Sequence, residues 1–182
     1  MPRTIEQLQL DHRNMTRLLR LLRSELEGSR AGDTLDFDLL GSVMEYTLHY
    51  PDLFHHPKED MVYRRMVARD PTAAARVGDL LQEHAHLAEL SRQFAAALHN
   101  RANDVEMPRR WFEKLMETYI TTNEHHIAEE ERVFLPLAMV TLSDADWVEL
   151  DDRVAGASDP LFGGKLAGEY RRLHDRIVRL AV

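Results

Sequence analysis

Residues 124–136 read Glu-His-His-Ile-Ala-Glu-Glu-Glu-Arg-Val-Phe-Leu-Pro. Within this stretch His126 is followed four residues later by Glu130. In an α-helix a four-residue step returns to nearly the same face one turn on. An imidazole and a carboxylate therefore point the same way. Apolar residues continue that face, with Leu115 and Tyr119 before the pair and Val133 and Leu137 after it. A His and a Glu inside a core-facing stripe are costly unless something satisfies them, and a metal ion is one such partner.

The device occurs twice. His55 and Glu59, in Phe-His-His-Pro-Lys-Glu-Asp, repeat the spacing, with Met44, Leu48, Val62 and Met66 extending the face. The two pairs are offset by 71 residues, which suggests an internal repeat. The repeat points to two more histidines. His12 lies 43 residues before His55, and His84 lies 42 before His126. Each follows an acid, in Asp11-His12 and Glu83-His84, and each sits on an apolar stripe.

Bulk properties narrow the field. A chain of 182 residues can bury a substantial core. A formal charge of -8, without a basic cluster, argues against a nucleic-acid binder. The absence of cysteine excludes disulfides, iron–sulfur clusters and thiol chemistry. No apolar signal region or 18-residue apolar run is present, so a soluble cytoplasmic protein without membrane contact is expected.

The fold class expected is all-α. Thr4 and Gln7 suggest a cap for a first helix running to about Gly28. A second helical stretch covers about 35–68, with Pro51 and Pro57 predicting a kink or unwinding beside His55. Asp70-Pro71 reads as the start of a third helix, and Pro108 as the start of a fourth that ends or kinks near Pro136. Ser143 with Asp146 caps a shorter fifth helix, and a last one covers 166–182. Long helices joined by short loops predict an up-down-up-down four-helix bundle over 1–140, with 141–182 as a C-terminal helical extension packed on it. Counted from the loops, His12, His55, Glu59, His84, His126 and Glu130 fall within about one helical turn of a common level.

Inward His and Glu on facing helices of a bundle can hold two iron or manganese ions. Two imidazoles per ion supply nitrogen donors, and two carboxylates can bridge the pair. Structural zinc sites prefer four ligands, often thiolates, and calcium or magnesium prefers oxygen. The mixture favours two iron ions, with zinc or manganese as alternative occupants. With one oxo, hydroxo or water bridge each iron has five ligands. A sixth position then remains for dioxygen, nitric oxide or peroxide.

The segments FHHPKED and HHIAEEERVFLPLA, with LDHRNM and QEHAHL, resemble the hemerythrin-like (HHE cation-binding) family. The resemblance spans about residues 5–140 and continues loosely through TLSDADW and DPLFG. It implies a four-helix bundle with a non-heme di-iron centre whose ligands are His12, His55, Glu59, His84, His126 and Glu130. The oxygen-carrying branch has a further His where this chain has Ala88, and a fourth-helix Asp one residue further along. The pattern here is similar to the bacterial four-His, two-Glu type.

The remaining histidines read as ordinary. His125 and His86 share polar faces and are expected in solvent. His49 and His56 lie seven residues apart on one face with Asp60 and Arg64 and read either as a surface pair, the preferred reading, or as a pair just behind the ligands. Tyr119 is either core or a hydrogen-bond donor to a bound ligand, and Asp11 and Glu83 either orient neighbours or lie exposed. Three functions stay open: a di-iron protein that binds or senses O2, NO or iron, a di-iron peroxidase or oxidase, and a helical interaction module with zinc or no metal.

Overall fold

The computed structural model describes residues 1–102, 107–154, 159–163 and 168–180. Four long helical rods build the bundle. The first is α1, Arg3–Ala31. It runs past Gly28 and stops at Gly32, whose φ of 112° only glycine adopts readily. Thr4 does not cap it locally. Its N–H and hydroxyl instead donate to Asp151, at 2.8 and 2.7 Å, across the molecule.

The second rod is α2, Phe37–His49, then a π-helical turn, Pro51–His55, then α3, His56–Arg69. Asp36 caps α2 by accepting from the Leu39 N–H at 3.0 Å. The fourth rod has the same build: α6, Arg109–Glu129, a π-helical turn, Glu130–Phe134, and α7, Leu135–Thr141. One cause explains both turns. A proline ring removes an N–H and clashes with the carbonyl four residues back. For Pro57 and Pro136 those carbonyls belong to Leu53 and Arg132, each at the centre of its π turn. Widening the helix by one residue relieves the clash.

The third rod starts later than Asp70-Pro71 suggests. A short α4, Ala73–Val77, ends at Gly78, whose φ of 88° breaks the helix. Asp79 then caps α5, Leu80–Ala102, by accepting from the Gln82 N–H at 3.1 Å. Beyond the bundle, Ser143 and Asp146 exchange hydrogen bonds at the start of α8, Asp144–Val154, as the capping pattern predicts. A 3₁₀ turn, Gly168–Tyr170, leads into α9, Arg171–Leu180; the expected start of the last helix at Leu166 lies outside the described residues.

α1 packs on α6, and α2 on α5; α8 lies against α1 and α3, and α9 against α1 and α2. The buried apolar residues form two separate clusters. One contains Ile5 and Leu8, Val62 and Met66, Leu80, and Phe134. The other contains Leu18 and Leu22, Tyr46 and Tyr50, Leu90 and Phe94, and Met116 and Tyr119. On every rod the gap between clusters falls where the sequence places its His and Glu. The core is thus two oily blocks with a polar layer between them. No described helix is long and apolar enough to cross a membrane.

Candidate metal centre

The polar layer contains all six expected residues, and all are buried: His12, His55, Glu59, His84, His126 and Glu130. The structure brings all six to one level of the bundle, as the count from the loops predicts. His126 and Glu130 sit in the last turn of α6 and the first position of the π turn. His55 closes the other π turn, and Glu59 follows one turn into α3.

Each carboxylate divides its oxygens between two pairs of imidazoles. Oε1 of Glu59 lies 3.2 Å from His12 Nε2 and 3.3 Å from His55 Nε2, and its Oε2 lies 3.5 Å from His84 Nε2. Oε1 of Glu130 lies 3.3 Å from His84 Nε2 and 3.2 Å from His126 Nε2, and its Oε2 lies 3.3 Å from His12 Nε2. Both glutamates are placed as bridges between a His12/His55 half and a His84/His126 half.

The outward nitrogens are held too. Nδ1 of His12 faces Glu131 at 2.7 Å, that of His55 faces Asp11 at 3.2 Å, that of His84 faces Asp60 at 2.7 Å, and that of His126 faces Glu83 at 3.3 Å. A proton on Nδ1 leaves the Nε2 lone pair for a cation, which is how carboxylates commonly orient metal-binding imidazoles. The four pairs form a closed ring. Each acid adjoins one of the six layer residues in sequence and holds the histidine of another rod: Asp11 beside His12 serves His55, Asp60 beside Glu59 serves His84, Glu83 beside His84 serves His126, and Glu131 beside Glu130 serves His12. Sequence reading missed Asp60 and Glu131 in this role. The signal was present as four doublets in which an acid directly adjoins one of the six layer residues.

The electrostatics follow from this density of carboxylates. Burial disfavours a charged His12, yet Glu130, Glu131 and Glu59 outweigh it and push its pKa up to about 12. Burial likewise opposes charging His84, but Asp60 and Glu130 raise it to about 10. His55 is raised against burial by Glu59 and Asp11, and Glu59 is lowered against burial by His55 and His12. A pocket that holds protons so tightly is one of strongly negative potential, suited to cations.

His56 does not pair with His49 on the surface. His49 is exposed, whereas His56 is buried and stacks on His84, with ring centroids 4.5 Å apart. The π turn inserts a residue between them, so a seven-residue step no longer returns to one face. Burial and the neighbouring imidazoles of His84 and His55 push its pKa well below 6.5. Asp11 gathers further partners: Tyr50 donates to it at 3.4 Å, and the buried Lys58 Nζ is 3.8 Å away. His86 and His125 are exposed, as expected, on the rim of an open cleft that reaches His126 and Glu130.

Two groups of donor atoms could each hold an ion. One atom each from His12, His55, Glu59 and Glu130 lies within 4.8 Å of the others, and the same is true of His56, Glu59, His84 and His126. A helical bundle with such a buried His and carboxylate layer defines a cation-binding protein. The family model described as Hemerythrin HHE cation binding domain matches residues 3–138, and the chain belongs to that family. Among the curated proteins and the solved structures, no match reaches significance.

Proposed function

We propose that this chain is a non-heme di-iron protein that binds a small diatomic ligand, dioxygen or nitric oxide, at a carboxylate-bridged pair of ions held by His12, His55, Glu59, His84, His126 and Glu130. One observation carries the reading. His55 Nε2, Glu59 Oε2, His126 Nε2 and Glu130 Oε2 are buried and face one another or their neighbours in the layer at 3.2–3.5 Å, yet none of the four makes a hydrogen bond of acceptable geometry. Orphaned groups of this kind are rare because each costs about 1–3 kcal/mol. Four of them in one layer are accounted for together if cations fill the space between.

The donor set fits iron. It mixes imidazole nitrogen with carboxylate oxygen and lacks thiolate. When bound, an iron pair would supply reversible one-electron chemistry and an open position for a small ligand. The protein's part is to orient the imidazoles through the ring of outer carboxylates and to exclude bulk water with the two apolar blocks. Next to the layer lies a cavity of about 20 Å³ bordered by Met15, Leu19, Thr47, Asp52, His56 and Tyr119. That volume accommodates one water-sized molecule.

A second reading, a di-iron peroxidase or oxidase, is favoured by the cleft of about 610 Å³ that opens onto His126 and Glu130, through which a reductant could approach. Two measurements decide between them. Protein purified without chelator should carry iron and change its optical spectrum on addition of nitric oxide or azide. Steady consumption of peroxide with an added reductant would move the assignment to the enzyme. Iron below about one per chain, unaltered in His12→Ala, would overturn both.

A further inference from the structure

We propose that His56 is a seventh protein ligand, so that the half of the centre built on His84 and His126 has three imidazoles and the half built on His12 and His55 has two. This rests on the reading of the layer as a two-metal centre.

Three observations converge. A donor atom of His56 lies within 4.8 Å of donor atoms of Glu59, His84 and His126. Its ring stacks on that of His84 at 4.5 Å and 17°, and meets that of His126 edge-on at 5.8 Å. Its Nδ1 faces Asp52 Oδ1 at 3.5 Å. The last contact repeats the arrangement of the other four imidazoles, each of which turns Nδ1 to a carboxylate. With Nδ1 so engaged, Nε2 is the nitrogen left to bind a cation.

Asp52 supports the same assignment. Both its carboxylate oxygens are buried without a hydrogen-bond partner. Ser91 and Arg92 also act on this carboxylate, and the His56 imidazole is the group at ion-pair distance from it, at 3.5 Å. It stands within the π turn that Pro57 imposes, four residues before His56. That π turn also rotates His56 inward, so that consecutive residues His55 and His56 serve opposite halves while both lie near Glu59.

The consequence is asymmetry. For an octahedral ion, three imidazoles, two carboxylate oxygens and one bridging ligand fill all six positions. Two imidazoles leave one position open. An external ligand would then have one place to bind, on an ion that His12 and His55 would hold, rather than a choice of two. The fifth imidazole comes from the second rod, while the third rod has Ala88 one turn after His84.

The test uses Co(II) as the probe, loaded into the full chain after removal of any resident metal. In paramagnetic proton spectra each cobalt-bound imidazole gives one exchangeable, strongly shifted N–H resonance. The unmodified chain should give five such signals, and His56→Gln four. His56→Gln should also release cobalt to a chelator at least about tenfold faster. Four signals in the unmodified chain would overturn the proposal while leaving a two-metal centre in place. So would five signals that persist in His56→Gln. No cobalt uptake at all would overturn this proposal and the centre together. Five signals in a chain that carries no iron when purified would sustain the role of His56 and remove only the choice of metal. Because the count is taken on the unmodified chain, a variant that fails to fold does not spoil it.

Discussion

Nδ1 of His12 on α1 lies 2.7 Å from Oε1 of Glu131, 119 residues further along the chain. This contact closes the ring of acids around the four inner imidazoles. Without it, nothing on the last rod would hold the outward nitrogen of the first rod's His12. The ring makes each rod's metal-binding geometry depend on a neighbour, and that dependence can be measured.

Replacing an acid of the ring should weaken metal binding more than it disturbs the fold. Glu131→Gln removes a charge from a partly exposed position. The expected effect is a loss of about 10–100-fold in metal affinity, read by competition with a chelator. Asp11→Asn should be worse, because it also leaves the buried Lys58 without its counter-charge. Breaking such a pair costs about 3–5 kcal/mol, so a lowered melting temperature should accompany the metal loss. Equal affinity in Glu131→Gln and the parent would contradict the orienting role.

The response to pH should reverse between metal-free and metal-loaded protein. His12, His55 and His84 are raised in the metal-free fold. A raised histidine stabilises the fold fully below its unfolded value of 6.5, and that contribution is lost as pH rises toward about 10 for His84 and about 12 for His12. Glu59 is lowered, so its contribution is present above 4.5 and lost on acidification. Bound cations replace the histidine protons and so compete better as pH rises. Thermal melts with and without chelator should therefore diverge between pH 6 and pH 9. A gap that narrows over this range would refute the assignment.

Glu130 should be indispensable and its neighbour His125 should not. Glu130→Ala removes a bridge between the halves and is expected to lose metal and lower the melting temperature of protein purified without chelator. His125→Ala, at an exposed position, should change neither. A Glu130→Ala variant that keeps both its metal and its melting curve would remove Glu130 from the centre.

The C-terminal segment should support the apolar block that contains Leu18, Tyr46 and Phe94 without reaching the metals. Leu173 and Ile177 of α9 are buried in that block, and Tyr46 donates to Asp159 at 3.0 Å. Leu173→Ala should cost about 2–5 kcal/mol in denaturant unfolding. Tyr46→Phe, which takes the donor from Asp159 Oδ2 while the Leu161 and Phe162 N–H groups still hold Oδ1, should cost about 1–3 kcal/mol. In both variants metal content should be unchanged, and metal loss without unfolding would show a coupling that the packing does not explain.

Much of this centre was legible in the sequence because helical spacing is arithmetic. His55 with Glu59 and His126 with Glu130 had to share a face, and the offset of 71 residues tied the two pairs together. The prolines even gave away the unwound turn beside His55. What spacing could not give was its consequence. A π turn shifts the register by one residue, which is why Phe134 is buried more fully than Val133, and why His56 turns inward while His49 stays outside. The start of the third rod was misjudged for a similar local reason. Asp70-Pro71 has helix-start chemistry, but the positive φ of Gly78 breaks the chain before the long helix begins. The cross-rod acids were hidden differently. Asp11 and Glu83 adjoin histidines that they do not hold, and only the packing shows which ones they do.

The central claim is that two cations sit side by side between Glu59 and Glu130. Anomalous diffraction at the iron edge, on crystals of protein purified without chelator, tests it most directly. Two peaks about 3.5–4 Å apart are expected, one beside His12 and His55 and the other beside His84 and His126. A single peak, none, or peaks only at surface residues such as His86 and His125 would contradict the account.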